Sequence, residues 1–439
     1  MVVMRALDRD ILRLAVPALG ALAAEPLFLL ADTAMVGHLG PEALGSLAIA
    51  STILQTVLGL MIFLAYATTP RVARRLGAGD TPGAIGAGFD GIWLALITSG
   101  VLLVIGLPLI DTGIGWFDPT PEVAAGASAY LTISWWGLPF MLTVVAATGL
   151  LRGLQDTRTP LYVAAGGFLS NIGLNALFIY GLDMGVAGSA LGTLIAHLGM
   201  CAIYLVIAVR AARRTGASLR PDWAGVIRAA RTSGWLLVRN GSLRAAMILL
   251  IVLATGLGTV QLAAIQVIQT LFNALALVLD SLAIAGQALI GLELGHRRRE
   301  RVAAINRRLI QWGIGFGVVV GVLLAAASPV LGAVFTGDPE VAALIGTLAL
   351  ILAAGMPIAG YVFTLDGVLM GAEDARYLAL AQFGALLGYA VLLLLVFTQW
   401  PTVHVLWACF GIGFVAFRAI SLGWRVRNDG WILRAEARS

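Results

Sequence analysis

The chain has 439 residues, of which 60% are hydrophobic and only 12% charged, and its formal net charge is +5. A soluble protein of this length needs far more polar surface, so the composition excludes one and points to a polytopic membrane protein. The excess positive charge is an orientation signal, and nucleic acid is excluded as a partner.

Twelve apolar stretches reach the roughly 20 residues needed to cross a bilayer. They are predicted at 12–36, 44–69, 85–110, 123–148, 161–182, 185–209, 235–256, 259–289, 305–332, 341–366, 377–398 and 402–424. The short alternating strands of a membrane β-barrel are not visible. The predicted fold is all-α, with twelve transmembrane helices in two six-helix bundles related by a pseudo-two-fold axis along the membrane normal.

The first stretch follows a basic N-terminus carrying Arg5, Arg9 and Arg13. It is too long for a signal peptide, is interrupted by Pro17 and lacks a small-residue cleavage site, so it reads as a retained helix. Within it, "EPLFLLADTAMVGHLG" places Glu25, Pro26 and Asp32 at membrane depth. The third stretch carries Asp90 about six residues in, where it is expected to be an interfacial or capping group. The fifth, "SNIGLNALFIYG", carries Asn171 and Asn175, and the sixth, "GSALGTLIAHLG", carries Thr193 and His197. Each pair is four residues apart and so lies on one helix face. Residues 210–234 hold many arginines and are read as a linker between an N-terminal lobe (1–209) and a C-terminal lobe (235–439). In the second lobe, the seventh stretch carries Arg244, the eighth carries Asp280 and the tenth ends with Asp366. Cys201 and Cys409 fall within spans and suggest neither a disulfide nor a metal site.

The two halves match at an offset of 218. "FDPTPEVAAGASAYLTISWWGLPF" from Phe117 aligns with "FTGDPEVAALIGTLALILAAGMPI" from Phe335, and "GLLRGLQDTR" (149–158) with "GVLMGAEDAR" (367–376). One register across separated regions marks a duplication. Six spans per half give both halves the same orientation, the parallel repeat of one transporter class. Gly149, Gly153, Gly367 and Gly371 are expected to let helices approach closely, and Asp156 and Asp374 to cap the helices that follow. Of the 28 basic residues, all arginine, 27 lie on alternate connections. Both termini are therefore expected in the cytoplasm, with the chain in the inner membrane of a bacterium.

Depth along each helix, at about 1.5 Å per residue, sorts the N-terminal polar residues into two layers. Asp32, Asn175 and Thr193 form the outer one, and Glu25, Asn171 and His197 the inner one. Intramembrane ionisable groups are functional candidates by default. Amides would bond helices together without the ionisation problem, which favours a working role for the carboxylates; His197 by itself is expected to bond a neighbouring backbone. A proton-coupled role for Asp32 fits, with helix 1 made bendable by Pro17 and Pro26. Glu25 and Asp32 become Leu243 and Leu250 in the second half. There, Arg244 and Asp280 are expected to pair, as a structural staple or as a substrate-coupling site, with Asp366 nearer the cytoplasm.

No nucleotide-binding loop, H-E-x-x-H pair, nucleophile elbow or Cys/His cluster is present. No catalytic residue, resident cofactor or metal is predicted, and the chain is not read as an enzyme.

The stretches "AEPLFLLADTAMVGHLGPEALGSLAIA" (24–50), "LDSLAIAGQALIGLELG" (279–295) and "LDGVLMGAEDARYL" (365–378) resemble signatures of the multidrug and toxic compound extrusion (MATE) family, specifically its DinF-like branch. The resemblance covers essentially the whole chain. It implies a V-shaped exporter of organic cations or other amphipathic compounds, driven by protons or sodium ions, with Asp32 as coupling carboxylate, Asn171 in its network and Pro17 at the bend of helix 1. The branch often has a second acid on helix 5 where this chain has Asn175, and Glu25 is the candidate to compensate. The expected partners are small-molecule substrates and membrane lipids, with the chain a monomer. The alternative is a flippase for lipids or lipid-linked sugars.

Overall fold

The computed structural model describes residues 2–437, and among them it contains helices and turns but no strand. In chain order the helices are α1 (Val2–Gly37), α2 (Pro41–Gly77), α3 (Thr81–Gly115), α4 (Pro121–Trp136 and Leu138–Gly153), α5 (Arg158–Gly181) and α6 (Gly185–Thr215). The second half repeats the series with α7 (Trp223–Leu257), α8 (Thr259–Gly295), α9 (Arg299–Phe335), α10 (Pro339–Gly371), α11 (Ala375–Phe397) and α12 (Val403–Val426). A short α13 (Gly430–Glu436) follows. Eleven of these are single helices long and apolar enough to cross a membrane, and α4, bent by 50° at Gly137, is the twelfth if its two segments make one span. Large apolar side chains lie exposed along them, among them Val104, Val334 and Leu394. So much exposed apolar surface is stable in lipid and not in water.

The linker predicted at 210–234 is far shorter. α6 continues to Thr215, its last turn carrying Arg213 and Arg214 against the helix dipole, and ends at Gly216, whose φ of 73° is left-handed. α7 then begins at Trp223.

Packing divides the chain into two units, residues 16–233 and residues 1–15 with 234–439. The two boundaries are 218 residues apart, the repeat offset itself. Each half therefore lends its opening segment to the unit built mostly from the other half. This corrects the lobe limits of 1–209 and 235–439 read from the sequence. In the second unit Leu7, Ile11 and Leu14 of α1 are buried with Leu289, Val302, Ile305 and Leu309. Asp8 accepts from Arg308 at 2.6 and 2.7 Å and from the Trp312 indole at 2.8 Å. In the first unit the start of α7 is held by Asp90 of α3, which accepts from the Asp222 amide at 3.1 Å and from Arg71 at 3.5 Å. Trp93 adds a bond to the Leu219 carbonyl at 3.1 Å. Positions 90 and 308 are repeat equivalents, so one site performs the same task with opposite charges.

The predicted glycine contacts occur, at matching positions in both halves. A Cβ on Gly149 would stand 2.9 Å from the Ala65 backbone, and one on Gly367 would stand 2.4 Å from the Ala283 carbonyl oxygen. Gly153 meets Thr69, and Gly371 meets Gln287, the residue 218 later. Asp156 caps α5 through the amides of Arg158 and Thr159, both at 3.0 Å. Asp374 differs: it makes no side-chain cap and instead accepts from Arg425 at 2.7 Å.

Candidate functional site

α1, α5 and α6 bring the predicted polar residues of the first unit together around Asp32, which is buried. Asn175 Nδ2 donates to Asp32 Oδ1 at 2.5 Å, and Thr193 Oγ1 donates to Oδ2 at 3.4 Å. Asn171 Nδ2 reaches Thr193 Oγ1 at 3.0 Å, while the two asparagine side chains meet each other at 3.4 Å. Neither asparagine is exposed to solvent. Every donor reaching the carboxylate is uncharged, and among the described residues no arginine or histidine contacts it.

The backbone is irregular where this chemistry sits. Directly after Asn175, residues Ala176–Gly181 of α5 form a wide π-helical turn, a feature often found at functional sites. The same widening recurs in α11 at Leu393–Phe397, so the duplication inherited the backbone form. Gly188 of α6 packs against the π turn, where a Cβ would stand 2.8 Å from the Phe178 carbonyl carbon. Tyr180 then ties α5 to the end of α1 through the Met35 carbonyl at 2.6 Å.

The two-layer expectation holds only in part. Asn171 joins the Asp32 cluster rather than a deeper layer with Glu25. Glu25 is exposed and accepts from Gln55 of α2 at 3.0 Å. Glu25, Asp32, Tyr130, Thr193 and His197 nevertheless line one cavity of about 40 Å³, enough for a water molecule or two. His197 bonds the Thr193 carbonyl through Nδ1 at 2.8 Å. A carbonyl oxygen only accepts, so Nδ1 carries the hydrogen and Nε2 is left for other partners. α1 runs unbroken through Pro17 and Pro26, each of which leaves a carbonyl one turn earlier without its amide partner.

Three contributors were not singled out from the sequence. Tyr130 is an aromatic at helical spacing, which ordinarily signals core. Ser189 lies beside the Asp32 carboxylate but reads as a small interfacial residue. Gly192 lies under Asn175: a Cβ there would stand 2.1 Å from Asn175 Oδ1. Only the repeat gives a signal, because residues 189 and 192 become Trp407 and Phe410 in the second half.

That substitution is general. Asn171, Asn175, Ser189, Gly192 and Ala196 are matched 218 residues later by Tyr389, Leu393, Trp407, Phe410 and Phe414. These rings pack together, with Tyr389 5.9 Å from Phe410 and 5.7 Å from Phe414, and Phe410 stacked on Phe414 at 5.5 Å. The second unit thus fills with aromatic rings the space that the first unit gives to Asp32 and its donors.

The second unit has a charged cluster of another kind. Asp366 of α10 accepts from Arg239 Nη2 of α7 at 2.8 Å and from Arg418 Nη2 of α12, all three side chains being buried. Asp280 of α8 lies within electrostatic reach of Arg418. The expected Arg244–Asp280 pair is not formed, and Arg244 is exposed. Five residues separate Arg239 from Arg244, about 140° around the helix, so only one of them faces Asp366. Arg418 was missed because it reads as a basic flank of the last span.

Comparison with known proteins follows the same lines. A family model described as MatE matches residues 17–177 and 242–396. DNA damage-inducible protein F of Escherichia coli (strain K12) is 28% identical over 433 residues, covering 97% of this chain and 94% of that protein. A probable multidrug resistance protein NorM of Bradyrhizobium diazoefficiens is 28% identical over 404 residues, covering 85% of this chain and 83% of that protein. The crystal structure of the Vibrio cholerae MATE transporter VcmN in the bent form superposes with a TM-score of 0.89 at 18% identity, over 100% of this chain and 99% of that one.

Proposed function

The chain belongs to the MatE family of multidrug and toxic compound extrusion transporters, and from that premise we propose that it exports organic cations or other amphipathic compounds in exchange for protons, with sodium ions as the alternative coupling ion. Its relatives include proteins named for multidrug resistance, which supports an efflux role. The observation that carries the coupling proposal is Asp32: a buried carboxylate whose donors are all neutral. A charge held at membrane depth without a counter-ion is costly, so a cation drawn from solvent completes the site. Loading it changes which hydrogen bonds α1 makes with α5 and α6, and a ligand shifts a conformational equilibrium only through such a difference. Asp366, by contrast, already holds two arginines and needs no cation from solvent.

The arginine-rich connections support a bacterial inner-membrane location with both termini in the cytoplasm, and the chain is taken to work as a monomer. The test is transport in proteoliposomes under an imposed pH or sodium gradient, with wild type beside Asp32→Asn. Wild-type export should follow the coupling gradient, and Asp32→Asn should lose that dependence. An Asp32→Asn variant transporting at the wild-type rate with intact gradient dependence would sink the proposal.

A further inference from the structure

The loop joining α8 to α9 reads "HRRRER" (296–301), whereas its repeat equivalent before α3 reads "AGDTPG" (78–83). The two loops share one backbone form. The residue preceding the helix has φ −88° and ψ 74° at Asp80, and φ −94° and ψ 74° at Arg298. Each follows a left-handed residue, Gly79 with φ 81° and Arg297 with φ 57°. The chemistry is inverted. Asp80 caps α3 by accepting from the Gly83 amide at 2.8 Å, while Arg298 offers α9 no side-chain cap. An arginine is also kept at position 297, in a conformation that suits glycine.

These arginines gather around a concavity instead of spreading over a convex surface. Arg297, Arg298, Arg299 and Arg301 line a cavity of about 920 Å³, with Glu300, Leu433 and Glu436 also in its wall. Glu436 holds Arg299 in place through two bonds of 2.9 Å to Arg299 Nε. Arg301 is held by Glu293 at 3.0 Å and by Asp10 at 3.3 Å. Arg298 stands 4.0 Å from Glu293, and Arg297 is exposed with no ion pair among the described residues. Arg297 is therefore free to turn into a cavity whose walls are already fixed, and Arg298 is held only by its long contact to Glu293. One wall comes from α13, which buries Trp431, Ile432 and Ala435 and leaves Leu433 exposed.

We propose that this cavity binds the phosphate of an anionic phospholipid, with Arg297 and Arg298 on the phosphate and Leu433 beside the acyl chains. Arginine matches phosphate oxygens in a bidentate fashion, and basic pockets at the ends of membrane helices suit such headgroups. A lipid rather than a free anion is favoured because the cavity lies where two spanning helices end and has an exposed apolar side chain in its wall. The site lies among the arginine-rich connections, which the orientation proposed above assigns to the cytoplasmic leaflet; the binding chemistry itself does not depend on coupling at Asp32.

The test is the thermal unfolding midpoint of the full chain in neutral detergent, titrated with phosphatidylglycerol, phosphatidylcholine or inorganic phosphate. Phosphatidylglycerol should raise the midpoint saturably and the other two should not. Arg297→Gln/Arg298→Gln should weaken the apparent affinity about tenfold or more, whereas Arg213→Gln/Arg214→Gln at the end of α6 should leave it unchanged. Arg298→Asp rebuilds the acid found at Asp80 on the same backbone, so it should fold well and still lose the response; it decides the matter if the double variant does not fold. An equal effect of phosphatidylcholine, full reproduction by inorganic phosphate, or equal losses in the two arginine pairs would each overturn the proposal.

Discussion

Asn175 lies across Gly192, and the amide that reaches Asp32 has room to do so only because residue 192 has no side chain. A Cβ at 192 would stand 2.1 Å from Asn175 Oδ1. The clash falls on the free end of a side chain, so Gly192→Ala should displace the amide and leave the helices in place. Losing a hydrogen bond to a charged group costs about 1.5–3 kcal/mol. Gradient-driven transport in vesicles should therefore fall roughly ten- to a hundredfold, with the unfolding midpoint lowered by only a few degrees. Wild-type transport by Gly192→Ala would show that the Asn175–Asp32 bond is dispensable.

The two buried acids should respond in opposite ways to neutralisation. Asp366→Asn leaves Arg239 and Arg418 buried together without their shared counter-charge, which should destabilise the chain by about 3–5 kcal/mol. Asp32→Asn removes a charge that has no counter-ion and should leave stability unchanged or raised. Chemical unfolding of both variants in the same detergent checks this, and equal destabilisation would contradict the assignment of different roles. Replacing the whole cluster, with Arg239→Met, Asp366→Leu and Arg418→Met together, should restore most of what Asp366→Asn loses.

The structure shows why some of this was legible in the sequence and some was not. Helices and their number follow from apolar run length, and Asp32, Asn175 and Thr193 stood out as polar residues at membrane depth on α1, α5 and α6. Their convergence was readable because four-residue spacing fixes a helix face. The Asp366 partners were not readable in the same way. Arg239 and Arg418 lie near span ends, where arginine ordinarily faces water, and only tertiary packing turns them inward. Gly192 carries no side chain, so its role exists only in relation to Asn175. The exchanged opening segments escaped notice because local sequence does not record which unit a helix end packs into; the equal spacing of the boundaries, after Ala15 and Ser233, becomes meaningful only beside the 218-residue repeat.

Gly313 of α9 and Gly360 of α10 bring two backbones into contact. A Cβ on Gly360 would stand 2.0 Å from the Gly313 carbonyl oxygen, and one on Gly313 would stand 2.4 Å from that of Gly360. Backbone gives way less readily than a side-chain tip, so Gly360→Ala should cost about 1–3 kcal/mol. The repeat equivalents are Ala95 and Leu142, so the glycine pair is peculiar to the second half. Gly360→Leu, the residue found at 142, should prevent folding, judged by yield of monodisperse protein after detergent extraction.

The exchange of opening segments predicts local effects. Asp8 is held by Arg308 and Trp312 within the second unit, while Asp32, on the same helix, belongs to the first. Asp8→Asn weakens a two-pronged ion pair that is only partly exposed, a loss of about 1 kcal/mol. Amide hydrogen exchange should then quicken about fivefold in α1 before Pro17 and in α9 near Arg308, with α1 around Asp32 unaffected. Pro17 has no amide hydrogen, so the helix lacks one bond across this boundary and the disturbance should stop there. Faster exchange along the whole of α1 would mean that the helix behaves as one rigid rod and that its first fifteen residues are not a separate packing element.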